Sequence, residues 1–159
     1  MTPILLKIWK LLQLPKSWQL WFMRRFEDQF LVGVTGIIFN EKNEILCFRN
    51  TYRAIPWGLP GGYIKSKEHP KEALEREIME ESGMTVSADE RHKIRTDRET
   101  ARLDIVYVGT YIGGDFRPSA EIIDAKFYPF DALPKMRKND LLLIERAIEA
   151  RSETEIAVI

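Results

Sequence analysis

The sequence predicts an α/β domain in which strands and helices alternate, preceded by a helical extension. Three observations lead to this fold class. Residues 30–39 are rich in β-branched side chains, and a second apolar run follows after a short polar turn. Residues 70–82 lie between a proline and a glycine, which are typical of the two ends of a helix. Residues 140–151 carry apolar side chains at helical spacing.

Length and composition describe one soluble domain with an appended segment. We expect the extension to span residues 1–27 and the domain to span residues 28–159, since no repeat or long linker divides the chain further. Hydrophobic residues make up 45% and charged residues 30%, which is ordinary for a globular protein. The 24 basic and 24 acidic residues cancel, so the overall charge gives no reason to expect a nucleic-acid partner.

The cysteine and histidine content argues against a disulfide-linked protein and against a zinc-binding protein. Cys47 is the single cysteine, so no internal disulfide can form, and its apolar neighbours predict a core position. The two histidines, His69 and His92, have no partners at zinc-ligand spacing. We therefore expect a protein of a reducing compartment, the cytoplasm.

The N-terminal extension is apolar and basic. Its large apolar side chains recur at helical spacing on both sides of Pro15: Leu5, Trp9, Leu12, Trp18, Trp21 and Phe22. Residues 1–26 contain no small-residue cleavage site and no apolar run long enough to span a bilayer. We expect this segment to pack on protein and to contribute to a homodimer. The alternative is a peripheral contact of residues 1–26 with an acidic membrane surface.

The domain elements follow from local patterns. The first two strands form a hairpin around the polar turn 40–44, and a later hairpin turns at residues 97–100. The last helix is expected to bury Leu141, Ile144, Ala147 and Ile148. The strands are expected at residues 30–39, 45–49, 84–86, 92–98 and 101–112, with a further short strand after residue 121.

The helix at residues 70–82 carries a stripe of carboxylates. Pro70 suits its first turn and Gly83 suits the position after its last turn. Glu77, Glu80 and Glu81 fall within about 100° of one another on a helical wheel. Like charges at these spacings destabilise a bare helix, and the helix dipole disfavours anions near its C-terminus. A divalent cation would reverse both effects, because Mg²⁺ prefers carboxylate oxygens.

This stretch resembles the signature box of the Nudix hydrolases. The box requires Gly, five residues, Glu, seven residues, Arg-Glu, an aliphatic residue, any residue, Glu-Glu, any residue, Gly and an aliphatic residue. Residues 62–84 fill every position without a gap: Gly62, Glu68, Arg76, Glu77, Ile78, Glu80, Glu81, Gly83 and Met84. The resemblance implies a Nudix-type α/β/α sandwich with a central mixed sheet. It also implies that a nucleoside diphosphate linked to another group, NDP-X, is hydrolysed with Mg²⁺ or Mn²⁺.

The resemblance also implies roles for individual residues. The metal ligands would be Glu77, Glu80 and Glu81, with the Gly61 carbonyl as a further oxygen, and Arg76 would hold the glutamates in place. Candidates for the general base are Glu77, Glu81 and the more distant Glu121. Residues that border the box are candidates for contact with the substrate: Arg49, Arg53, Trp57 and Glu68. Trp57 has two interpretations, since it could plug the core or stack on a base.

The particular substrate stays open at this stage. The segment after the box has neither the proline nor the tyrosine that marks some subfamilies, and the motif of the coenzyme A subfamily is incomplete. Two other classes of protein are alternatives to a free enzyme. One is a regulatory Nudix module that binds nucleotides with weak or lost activity, and the other is a housekeeping enzyme tethered to a membrane surface by residues 1–26.

Overall fold

The computed structural model describes residues 15–97 and 101–157. The described residues fall into two compact units, with a boundary between Phe30 and Leu31. Unit one contains helix α1, Lys16–Phe26, in which the rings of Phe22 and Phe26 lie 4.6 Å apart between centroids. The predicted apolar positions Leu5, Trp9 and Leu12 lie outside the described residues. Within the described parts of the chain, no helix is long and apolar enough to cross a bilayer.

The second unit is built on a seven-stranded mixed sheet. The strands run in the order β3-β2-β1-β6-β5, with β4 paired to β1 and β7 paired to β2. β1 and β6 are parallel, while the other pairs are antiparallel. The strands are β1 (Leu31–Phe39), β2 (Ile45–Asn50), β3 (Trp57–Gly58), β4 (Gly61–Tyr63), β5 (Thr85–Asp97), β6 (Arg102–Gly113) and β7 (Ile122–Tyr128). The predicted α/β class with a mixed sheet is confirmed.

One helix covers each face of the sheet, because side chains along β1 alternate between two cores. Helix α2, Pro70–Ser82, shares a core with Val34 and Ile38, and helix α3, Lys138–Ala157, shares the other with Ile37. A short 3₁₀ turn, Phe130–Ala132, precedes α3. Cys47 is fully buried in the second core, as predicted, and this burial raises the pKa of its thiol to about 12.

The structure differs from the sequence prediction in two elements. Residues 84–86 and 92–98 were expected as separate strands, whereas β5 is continuous across Thr85–Asp97. Two bulges, between Ala88 and Glu90 and between Arg91 and Lys93, keep this charged strand in register with β6. In α3, Leu143 is buried and Leu141 is 36% exposed, so the predicted apolar side was wrong at its first position.

Candidate active site

Helix α2 is fixed at both ends by capping interactions. The His69 side chain accepts a hydrogen bond from the Lys71 backbone N–H, and the Glu72 carboxylate accepts one from the His69 N–H. Pro70 occupies the first turn, where its missing N–H would have no helical partner. Gly83 ends the helix with a φ of 74°, a left-handed conformation that favours glycine. Because the ends are fixed, the carboxylates on the last turns have fixed positions on the sheet.

Arg76 connects the carboxylates of α2 with the loop before it. Its Nε lies 2.6 Å from Glu68 Oε1, and its Nη1 lies 2.8 Å from Glu77 Oε1 and 3.0 Å from Glu80 Oε2. Its Nη2 donates to the Tyr63 carbonyl oxygen at 3.2 Å. Arg76 thus forms ion pairs with three carboxylates at once. A guanidinium with several fixed donors can hold two or more carboxylates at once.

The structure places Glu68 on Arg76. Both carboxylate oxygens of Glu68 accept hydrogen bonds from Arg76, and one also accepts the Lys65 backbone N–H at 3.0 Å. The Arg76 hydrogen bonds, together with that of Lys65, lower the pKa of Glu68 to about 2. The Glu68 side chain is only 15% exposed. In this geometry it holds the loop to the helix and contributes little surface to a substrate cleft.

The two glycines of β4 bring the strand close to its neighbours. A β-carbon at Gly62 would overlap the carboxyl group of Glu77, which leaves that side chain room to lie directly against the strand. A β-carbon at Gly61 would overlap the carbonyl oxygen of Val34 on β1. The Glu77 side chain is 16% exposed in this position. Glycine is therefore required at Gly62 by the carboxylate and at Gly61 by the strand pairing.

Glu81 is surrounded by charges from three parts of the chain. Burial, followed by the negative charges of Glu77 and Glu121, raises the pKa of Glu81 to about 7. The positive charge of Arg53 acts in the opposite direction. Glu121 reaches this place because its carbonyl accepts the Thr51 backbone N–H at 2.9 Å, in the loop that also carries Arg53. The structure thus brings the charges of Glu77, Glu121 and Arg53 to bear on Glu81.

Arg53 also approaches the start of helix α3. A β-carbon at Gly58 would lie 3.0 Å from Arg53 Nη1 and 3.5 Å from Asp140 Oδ2. Arg53 Nη1 is buried and has no hydrogen-bond partner among the described residues. Asp140 is fully buried and binds Arg137, whose Nε and Nη2 lie 3.0 and 3.2 Å from its two oxygens. Sequence analysis missed Asp140, because an acidic residue in the first turn of a helix is usually a solvated N-terminal charge.

Trp57 and Arg49 lie on another part of the sheet. The Trp57 ring packs edge-on against Tyr128 at 5.4 Å between centroids, and Lys126 lies over it at 5.9 Å. Trp57 contacts the core on the α3 face, so the structure favours the core interpretation over base stacking. Arg49 is exposed on β2, where its register partners are Trp57 and Asp124. Neither residue takes part in the ion pairs of Arg76.

The carboxylates of Glu77, Glu80 and Glu81 are chemically suitable ligands for a divalent cation. Across residues 15–97 and 101–157, no three His, Cys, Asp or Glu side chains stand close enough to form a ready metal cage. Arg76 binds Glu77 and Glu80, whereas burial and then the negative charges of Glu77 and Glu121 raise the pKa of Glu81. A cation would relieve this repulsion, and oxygen donors of this kind suit Mg²⁺ or Mn²⁺. The donor set is therefore suitable, although the side chains must move to coordinate an ion.

Comparison with known proteins places the chain in one family. The NUDIX domain matches residues 29–147. The human 8-oxo-dGDP phosphatase NUDT18 is 29% identical over 128 residues, which is 76% of this chain and 39% of the relative. The ADP-ribose pyrophosphatase of Methanocaldococcus jannaschii is 30% identical over 111 residues, 66% of this chain and 65% of the relative. The chain therefore matches about two fifths of the human relative and slightly under two thirds of the archaeal one.

Solved structures share the fold. An ADP-ribose pyrophosphatase from Streptococcus suis superposes with a TM-score of 0.67 at 25% identity, covering 77% of this chain and 92% of that one. A NUDIX hydrolase from Nitrosomonas europaea gives a TM-score of 0.71 at 19% identity, covering 80% and 75%. The α/β fold and the filled signature box agree with these matches. The chain belongs to the Nudix hydrolase family.

Proposed function

We propose that this chain is a pyrophosphohydrolase that uses Mg²⁺ or Mn²⁺ to cleave NDP-X. One observation carries the proposal: burial, followed by the negative charges of Glu77 and Glu121, raises the pKa of Glu81 to about 7. A protein gains nothing in stability from such a group, since burial and like charges both oppose ionisation. Strongly perturbed carboxylates in a cleft are typical of catalytic and metal-binding sites.

The proposed ligands are the three carboxylates Glu77, Glu80 and Glu81, with the Gly61 carbonyl oxygen as a possible fourth. When bound there, the cation would neutralise phosphate oxygens and lower the pKa of a bound water. Arg76 would keep Glu77 and Glu80 oriented through the ion pairs described above. A pyrophosphate is itself anionic, so these carboxylates favour its binding only when positive charge lies between them and the substrate.

The reaction requires few covalent roles from the protein. The oxygen of a water molecule attacks one phosphorus, the anhydride P–O bond breaks, and the leaving phosphate takes the bond electrons. The proton of the water passes to a carboxylate, for which Glu77, Glu81 and Glu121 are the candidates. Arg53, whose positive charge acts on Glu81, is suited to an oxygen of the pyrophosphate. Positioning and charge stabilisation supply most of the catalysis in such transfers.

The proposal is tested by a substrate panel with the full chain. The relatives are named for ADP-ribose and for 8-oxo-dGDP, so the panel includes both, along with nucleotide sugars, dinucleoside polyphosphates and nucleoside triphosphates. We expect at least one diphosphate to yield a nucleoside monophosphate, identified by mass, in Mg²⁺ or Mn²⁺ and not in EDTA. Nucleotide binding without turnover of any compound in either metal would instead favour the regulatory module.

Three expectations from the sequence stay predictions. They are a homodimer, a cytoplasmic location, and contact of residues 1–26 with protein or with an acidic membrane surface. Residues 15–26 supply two aromatic contacts within α1, between Trp21 and Phe22 and between Phe22 and Phe26. Both contacts lie within α1 and do not indicate what the helix packs against.

A further inference from the structure

A second charged group lies on the sheet near the proposed site. Asp104 on β6 is only 4% exposed in its side chain. Its Oδ2 accepts hydrogen bonds from Arg95 Nε at 2.9 Å and from Thr35 Oγ1 at 3.0 Å, and Arg95 Nη2 lies 2.7 Å from the same oxygen. Its Oδ1 lies 3.2 Å from Arg102 Nη2. Because Arg95 and Arg102 both pair with the Asp104 carboxylate, the three side chains together carry one net positive charge.

Arg102 is the unusual member of this group. Arg95 and Thr35 already satisfy the buried carboxylate, so Arg102 is not needed to neutralise it. Arg102 Nε is buried without a hydrogen-bond partner among the described residues. A buried donor without an acceptor costs free energy and calls for an explanation. The position of Arg102 therefore indicates a purpose beyond the ion pair.

The Arg102 side chain lies across β1 and reaches from β6 to β4. It crosses Gly33, where a β-carbon would lie 2.5 Å from Nη2 and 2.9 Å from Nε. At the far side its guanidinium carbon lies 4.9 Å from the centroid of the Tyr63 ring, and its Nη1 lies 3.4 Å from the Tyr63 hydroxyl oxygen. The Arg102 side chain is still 32% exposed and Tyr63 is 48% exposed. This partly exposed pair of guanidinium and ring is here called the Arg102–Tyr63 platform.

The platform is one residue along the chain from the proposed metal site. Gly62 contacts Glu77, and the next residue, Tyr63, carries the platform on the opposite face of β4. The Tyr63 carbonyl also accepts the hydrogen bond from Arg76. Among the described strands, β4 pairs only with β1, so no strand covers its other edge. A molecule bound at Glu77 would reach Tyr63 by extending over this edge.

We infer that the Arg102–Tyr63 platform binds the nucleobase of the substrate, an inference that rests on the proposed hydrolysis of NDP-X. The donors of Arg102 point at Asp104 and the Tyr63 hydroxyl, or are buried over Gly33, so few remain for a phosphate. The flat guanidinium and the tyrosine ring remain, and bases stack on both kinds of surface. Because Arg102 is already held in place, little side-chain entropy is lost when a ligand binds.

The test is equilibrium binding by calorimetry in buffer that contains Mg²⁺, with monophosphates that have no anhydride bond to hydrolyse. The ligands are AMP, GMP and UMP, with ribose 5-phosphate as the ligand that lacks a base. Tyr63→Leu and Arg102→Gln should raise the Kd of the tightest nucleotide about 10-fold, as loss of one stacked base predicts. Ribose 5-phosphate should bind all variants equally. Gly33→Ala, which displaces Arg102 without removing its charge, should weaken nucleotide binding in the same direction.

Arg95→Gln is the matched control. It removes the same charge and one of the two arginines on Asp104, with a similar side-chain exposure of 29%, but Arg95 does not contact Tyr63 in any described interaction. Its Kd for nucleotides should change less than about twofold. An equal loss in Arg95→Gln would assign the effect to the Asp104 ion pairs and overturn the inference. An equal loss for ribose 5-phosphate would make the site an anion site and overturn it too.

The platform inference and the hydrolase proposal can fail independently of each other. If the wild type hydrolyses NDP-X but Tyr63→Leu and Arg102→Gln bind nucleotides as the wild type does, the platform inference fails and the hydrolase proposal stands. If the wild type hydrolyses no compound of the panel, the hydrolase proposal fails whatever the binding data show. Melting temperatures of the four variants establish that each is folded before binding is compared.

Discussion

Glu81→Gln should lower kcat/KM for the best substrate of the panel by about 10²-fold or more, the scale of losing one charge-stabilising group in an active site. The substitution removes an anionic oxygen from the crowded group with Glu77 and Glu121 and changes almost no volume. It leaves the ion pairs of Arg76 in place. Initial rates at saturating Mg²⁺ and Mn²⁺ measure the effect.

The same substitution should not weaken the fold. The pKa of Glu81 in the folded state is raised from 4.5 to about 7. The folded chain therefore holds this proton more tightly than the unfolded chain, and the free energy of unfolding falls as the pH rises from 4.5 through 7. The neutral glutamine avoids this at about pH 8, so the metal-free variant should melt no lower than the wild type. Glu145→Gln, an exposed glutamate on α3, is the matched control and should keep full activity. Normal turnover by pure, folded Glu81→Gln would refute the assignment of Glu81.

Gly62→Ala is expected to have a comparable effect for a steric reason. The new β-carbon would overlap the Glu77 carboxyl group, so Glu77 must leave its place against β4. Displacement of a catalytic group by about 1 Å can cost about 10²-fold in rate. We expect kcat to fall by about that factor, measured as initial rates with the same substrate and metal.

Gly113→Ala is the control for Gly62→Ala, since a β-carbon at Gly113 meets nothing within 4 Å. It should leave both the rate and the melting temperature close to those of the wild type. If Gly62→Ala were as active as Gly113→Ala, the Glu77 carboxylate would not need its observed position, and its proposed role as a ligand would lose its geometric support.

The sequence predicts α2 and its ends well because the relevant physics is local. Pro70 and Gly83 define the helix, and the 3.6-residue period places Glu77, Glu80 and Glu81 together. The i, i+4 spacing also predicts the contact of Arg76 with Glu80. Resemblance to the family extends this to Glu121, whose approach to Glu81 depends on tertiary structure and could not follow from spacing alone.

Features that depend on several distant strands were missed. The Arg102–Tyr63 platform joins β4 and β6 across Gly33 on β1, and no periodic pattern links these positions. The burial of Asp140 depends on how the start of α3 meets Gly58 on β3 and Arg53 in the loop before it. β5 was expected as two strands because its charged residues and two bulges break the alternation that identifies a strand.

The central claim is that the carboxylates of α2 hold a divalent cation, and Mn²⁺ binding measured by electron paramagnetic resonance tests it most directly. The full chain is titrated with Mn²⁺ without substrate, beside a variant that carries Glu77→Gln, Glu80→Gln and Glu81→Gln together. We predict that the wild type removes free Mn²⁺ from solution and that Mg²⁺ displaces it. The triple variant should lose this binding while melting as a folded protein. Equal Mn²⁺ binding by both proteins, or none by the wild type, would contradict the claim.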